Sequence, residues 1–102
     1  MDARGPFQVF LDASAWKEPA DFYRVLFLQI GAPDWHGENL AALRDSMVTG
    51  DINALPPPYE IELTGMHTLS TEMRDLLRGF AEVIEDGRAE GVPNVLRCKP
   101  PL

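Results

Sequence analysis

Sixteen acidic residues against nine Lys and Arg give this 102-residue chain a formal charge of −7, and the basic side chains are scattered singly, leaving no cationic patch for a phosphate backbone. Hydrophobic residues at 45% and charged residues at 25% exclude a disordered tail, and the length suits one domain, residues 1–102, built on one core. No apolar run approaches the roughly 20 residues of a membrane span, the amino terminus lacks a signal-peptide pattern, and the lone Cys98 fits a reducing compartment, so a cytoplasmic protein is expected.

Phe7-Gln8-Val9-Phe10-Leu11-Asp12 is an apolar, aromatic and β-branched run bounded by Pro6, which predicts a first strand over 7–12. Pro19 at a first helical position and Asp21 in the first turn open a helix through Phe22, Val25, Leu26 and Ile30, closed by Gly31 with Pro33 behind it. Its apolar residues cover more than one face, Phe27 and Leu28 included, which predicts burial between the sheet and another helix. Asn39 then stands as an N-cap before a helix starting at Leu40. At about 100° per residue, Leu40, Leu43 and Met47 share one stripe. Asp45 falls on the opposite side, framed by Ala41 and Ala42.

Thr49-Gly50-Asp51 and the Pro56-Pro57-Pro58 run predict a stiff, non-helical connection. Tyr59-Glu60-Ile61-Glu62-Leu63-Thr64 alternates apolar and polar residues, the mark of a strand with one solvated face. A strand covered on both sides would be apolar throughout, so helices are expected on one side only. Gly65 to Leu69 make a short connection in which His67 serves a local turn. Met73, Leu76, Leu77, Phe80, Val83 and Ile84 then repeat at helical spacing up to Gly87 or Gly91, and Val95-Leu96-Arg97-Cys98 reads as a last strand. Crossovers of this length require parallel pairing, which gives an α/β, two-layer fold with a three-stranded parallel sheet in order 1-2-3 and helices on one face.

The densest punctuation lies between Gly31 and Met47. Trp35 and His36 sit in a Gly-flanked loop beside a helix face of small residues, a combination suited to a recognition patch, because rings supply contact area at low entropic cost. An enzyme using Asp45, His36 and Glu38 as acid–base groups is the rival reading; a carboxylate on a convex helix bordered by alanines lacks the cleft that tunes catalytic groups. His36 and His67 are isolated from each other, so no metal-ligand spacing exists and no cofactor is expected.

The run Trp35-His36-Gly37-Glu38-Asn39-Leu40, followed by Ala42-Leu43, Asp45 and, after one extra residue, Thr49-Gly50, resembles the signature of the barstar family. That pattern is two aromatics, Gly-Glu-Asn-Leu, then Ala-Leu, an aromatic and Asp. The resemblance implies the same three-stranded arrangement and an intracellular inhibitor of a toxin ribonuclease, a basic protein bound one to one by an otherwise monomeric antitoxin, with no catalysis. It implies that Asp45 mimics the scissile phosphate, that Trp35 and His36 pack on the partner, that Gly37 lets the loop approach closely, and that Asn39 caps the helix while touching the enzyme. Thr49 and Gly50 continue the edge, and Glu82 matches a second acidic contact. Three departures stand out: Ala41 replaces a further Asp of the best-known member, Arg44 an aromatic, and Asp51 another aromatic. They point to a target with an acidic group facing Arg44. The alternative is a domain of the same fold that binds a partner other than a ribonuclease.

Overall fold

Tyr59, Ile61 and Leu63 are buried and Glu60, Glu62 and Thr64 are half-buried, the two faces that the alternation of this strand requires. In the computed structural model, which describes residues 6–102, the elements follow the expected order. They are β1 (Phe7–Asp12), α1 (Pro19–Ile30), α2 (Leu40–Arg44) running into a π turn (Asp45–Thr49), β2 (Tyr59–Thr64), a 3-10 turn (Met66–Thr68), α3 (Thr71–Ala89) and β3 (Val95–Lys99). Both outer strands run parallel to β2 in the order β1-β2-β3, with Val9 opposite Ile61 and Ile61 opposite Leu96. The helices pack on the face carrying those residues.

The other face is open and, apart from the exposed Phe10 of β1, polar. Gln8 donates to the Glu60 carboxylate at 2.8 Å, Lys99 pairs with Glu62 at 2.7 Å, and Arg97 approaches Glu60 at 3.9 Å. Exposed pairs of this kind contribute at most about 1 kcal/mol each; their main effect is to keep the sheet surface hydrophilic. At the free edge of β1, the Gln29 amide reaches over from α1. It accepts the Phe10 N–H at 2.8 Å and donates to the Phe10 carbonyl at 2.6 Å, taking the place of a neighbouring strand.

Between the layers, Phe22 packs edge-on against Trp16, Tyr23 and Phe80 at centroid distances of 5.7, 4.9 and 5.0 Å. Met73, Leu77, Phe80 and Ile84 of α3 are buried along the predicted stripe. Helix α1 begins in a capping box: Asp21 accepts the backbone N–H groups of Lys17 and Glu18 at 2.8 and 3.1 Å, and these bonds hold its carboxyl below the usual range. It ends at Gly31 with φ +68°, where a Cβ would stand 2.6 Å from that of Ala54. Only glycine fits there. The Ile30 and Gly31 carbonyls accept the N–H groups of Leu55 and Ala54, so the proline-rich connection folds back over the end of α1.

Two expectations are corrected. Leu28 is 79% exposed, because α1 buries only Phe22, Tyr23, Leu26 and Ile30 and no second helix covers its far side among the described residues. The second helix also does not stay α-helical to Met47; it widens after Arg44.

Asn94, just ahead of β3, is completely buried and joins three elements. Its side chain accepts the Tyr59 N–H at 2.8 Å and donates to the Met47 carbonyl at 2.9 Å, while its own carbonyl accepts from Arg88 at 3.0 Å. Asn94→Ala leaves a buried donor and a buried acceptor unpaired, so urea denaturation is expected to show a loss of about 2–4 kcal/mol.

Candidate functional site

Helix α1 stops at Gly31, and Pro33 turns the chain into the segment 32–39, where the His36 N–H bonds the Pro33 carbonyl at 2.9 Å. The two adjacent rings then part. Trp35 is 74% exposed, whereas His36 is only 7% exposed and lies on Phe27 with centroids 4.4 Å apart. His36 Nδ1 is 2.9 Å from the Gly37 carbonyl and Nε2 is 2.8 Å from the Ser46 hydroxyl. A carbonyl can only accept, so Nδ1 carries the proton, and in the neutral ring Nε2 takes the Ser46 hydroxyl hydrogen. The imidazole thus brackets the loop to the turn that bears Asp45. This corrects the picture of His36 as an outward ring: its polar atoms are spent inside the chain.

Asn39 starts α2 as expected, its side-chain oxygen accepting the Ala42 N–H at 2.8 Å. The Asp45 N–H still reaches the Ala41 and Ala42 carbonyls, but the Gly50 N–H then bonds the Asp45 carbonyl at 3.0 Å, one residue further back than an α-helix allows. The wider turn carries three consecutive buried residues, Ser46, Met47 and Val48, where α-helical spacing would turn one of them outward. The Asn53 amide approaches the Ser46 carbonyl at 3.5 Å and Asn94 takes that of Met47, so side chains stand in for the bonds that the wider turn forgoes.

Asp45 remains exposed and, among the described residues, no ion pair reaches it. It borders a cleft of about 70 Å³ together with Trp35, His36, Gly37, Ala42 and Ile52. Ile52 was not legible as a site residue, since nothing in its sequence setting distinguishes it from a connector. Next to Asp45, Arg44 is bound to Asp86 on α3 at 3.3 Å and to Glu90, the residue that caps the end of α3. In the unbound chain the acids facing Arg44 are therefore its own. Asn39, Ala41 and Thr49 are exposed, Gly50 is buried at φ +91° where it closes the π turn, and Glu82 is exposed on α3. The cleft brings Trp35, His36, Gly37 and Asp45 together; Arg44 and Glu82 lie outside it. Glu38 opens onto a different cavity from Asp45, so the three acid–base candidates do not line one cleft. Among the described residues, no His, Cys, Asp and Glu cluster could hold a metal, and no helix is long and apolar enough to cross a membrane.

A family model described as Barstar (barnase inhibitor) matches residues 7–98, from the first residue of β1 into β3. The chain belongs to the barstar family. No curated protein matches it. Barstar-family proteins inhibit ribonucleases by binding them as protein partners. The residues between Asp45 and Gly50 form the π turn, which Gly50 closes.

His36→Phe keeps the ring on Phe27 and removes both polar contacts. A stability loss of about 1–3 kcal/mol is expected, with faster amide exchange across residues 36–46 by hydrogen-exchange mass spectrometry and unchanged exchange in the middle of α3.

Proposed function

We propose that this barstar-family chain is an intracellular antitoxin that binds a basic toxin ribonuclease one to one and blocks its active-site cleft with Asp45 and the loop around Trp35. The observation that carries this reading is the Asp45 carboxylate, exposed and unpaired beside a cleft, on a turn whose neighbouring carbonyls are tied to the rest of the fold. A ribonuclease cleft is cationic because it must hold a scissile phosphate. A rigid anion of similar reach competes for the same Arg, Lys and His donors through charge-assisted hydrogen bonds, and the inhibitor performs no chemistry of its own.

The surrounding residues support that role in different ways. Trp35 offers a large exposed ring that loses little entropy on contact, while Asn39 and Thr49 present polar groups at the two ends of the segment that carries Asp45 and Glu82 is exposed on α3. The −7 net charge favours fast encounter with a basic partner at low ionic strength. Ala41 brings no second carboxylate, and Arg44 is held by α3, so Asp45 is the only free charge on this helix face. The preferred enzyme is accordingly one that depends on a single acid at the phosphate site.

Inhibition and binding are tested against a panel of barnase-type secreted ribonucleases. At least one is expected to be inhibited, and Asp45→Ala is expected to weaken that complex by more than about 2 kcal/mol, about thirtyfold in Kd. Association is expected to slow as salt rises from about 0.05 M to about 0.5 M. Absence of inhibition across the panel, or an Asp45→Ala protein that binds as tightly as the parent, overturns the reading.

A further inference from the structure

On the other side of His36 lies a second, larger cavity of about 300 Å³, formed where the last turns of α1 face the segment 32–38. His36 lines both cavities, so this groove adjoins the Asp45 cleft across one residue. We propose that the groove is a second anchoring site for the same ribonuclease, and that it takes one long basic side chain, Lys or Arg, from the rim of the enzyme's cleft. The proposal rests on the inhibitor reading and adds to it a contact that selects among ribonucleases.

The two ends of such a side chain call for different surroundings: the aliphatic stem prefers apolar walls, and the charged head an acid in contact with water. The groove supplies both. Phe27, Leu28 and Pro33 give it apolar walls, and Asp34 and Glu38 are exposed carboxylates that line it with no ion pair among the described residues. Arg24, its one cation, is already paired with Asp21 at 3.2 Å, so the balance of free charge in the groove is negative. Its remaining feature is otherwise unexplained: Leu28 is 79% exposed on a helix whose other large apolar residues are buried or half-buried. Among the described residues, Leu28 and Trp35 are two of the three large hydrophobic side chains left exposed, and they line adjoining cavities. An interface centred on Asp45 that extended over the loop would cover both.

The helix face has no second acid, Ala41 standing beside Asp45, while the loop carries Asp34 and Glu38 on the far side of His36. Within the proposal, the groove adds a second place at which basic partners are told apart.

The test measures Kd for the ribonuclease bound tightest in the panel above, using Asp34→Lys, Leu28→Ala and, as a control on the open sheet face, Glu62→Lys, with thermal unfolding checking that each variant folds. Asp34→Lys is expected to weaken binding about tenfold at about 0.05 M salt and much less at about 0.5 M. Leu28→Ala is expected to weaken it severalfold at both, because its contribution is apolar, and Glu62→Lys to change it about twofold or less. If Asp34→Lys and Leu28→Ala both bind like the parent while Asp45→Ala does not, the groove is empty in the complex and only the present proposal falls. Equal losses for Asp34→Lys and Glu62→Lys overturn it as well, since they report overall charge alone. If no ribonuclease binds, both readings fall together.

Discussion

A π turn must satisfy carbonyls that an ordinary helix would satisfy by itself, and the arrangement of this molecule follows from how that is done. The Asp45 carbonyl takes the Gly50 N–H, the Ser46 carbonyl faces the Asn53 amide, and the Met47 carbonyl takes the amide of Asn94. Asn94 in turn receives the first N–H of β2. The backbone under Asp45 is therefore hydrogen-bonded to the segments that lead into β2 and β3, and its position is set by the sheet as much as by the short α2. A buried side-chain amide with both ends occupied suits this task, because leaving either end unpaired is costly.

Charge is arranged by the same logic of prior engagement. Arg24 pairs with Asp21, Arg78 with Asp75, Arg44 with Asp86 and Glu90, and Lys99 with Glu62. Each exposed pair contributes little to stability. Together they engage four cations of the helices and sheet, and Asp45 stays outside every ion pair among the described residues. Arg44 shows the principle most clearly, since a cation next in sequence to Asp45 is drawn away by Asp86 of α3 and by Glu90 at its end rather than cancelling it.

Much of this was legible in the residues. The alternation over Tyr59–Thr64 revealed the two faces of the sheet, Gly31 with Pro33 marked the end of α1, and Asn39 marked the start of α2, because each depends on interactions within a few residues. The side of the helix on which Asp45 lies was also legible from periodicity. The π turn was not: Leu40, Leu43 and Met47 satisfy an ordinary helical stripe, and the widening shows only in the Gly50 N–H that closes the turn on the Asp45 carbonyl. The inward role of His36 rests on Ser46, ten positions away, and on Phe27 in another helix, partners that local pattern does not name. The intrachain pairing of Arg44 was hidden for a similar reason, as its acids lie over forty residues later. Asn94 sits in a brief connector after Pro93, where polarity suggests solvent rather than the deepest bond of the fold.

The Gln29 amide at the margin of β1 has a bearing on how the sheet ends. A parallel sheet of three strands offers two unpaired margins onto which another molecule could extend it, a route to insoluble fibres. Gln29 occupies the middle of one margin with a side chain that cannot be extended, and Arg97, Lys99 and the prolines that follow make the other repellent. The fold thereby ends its own sheet.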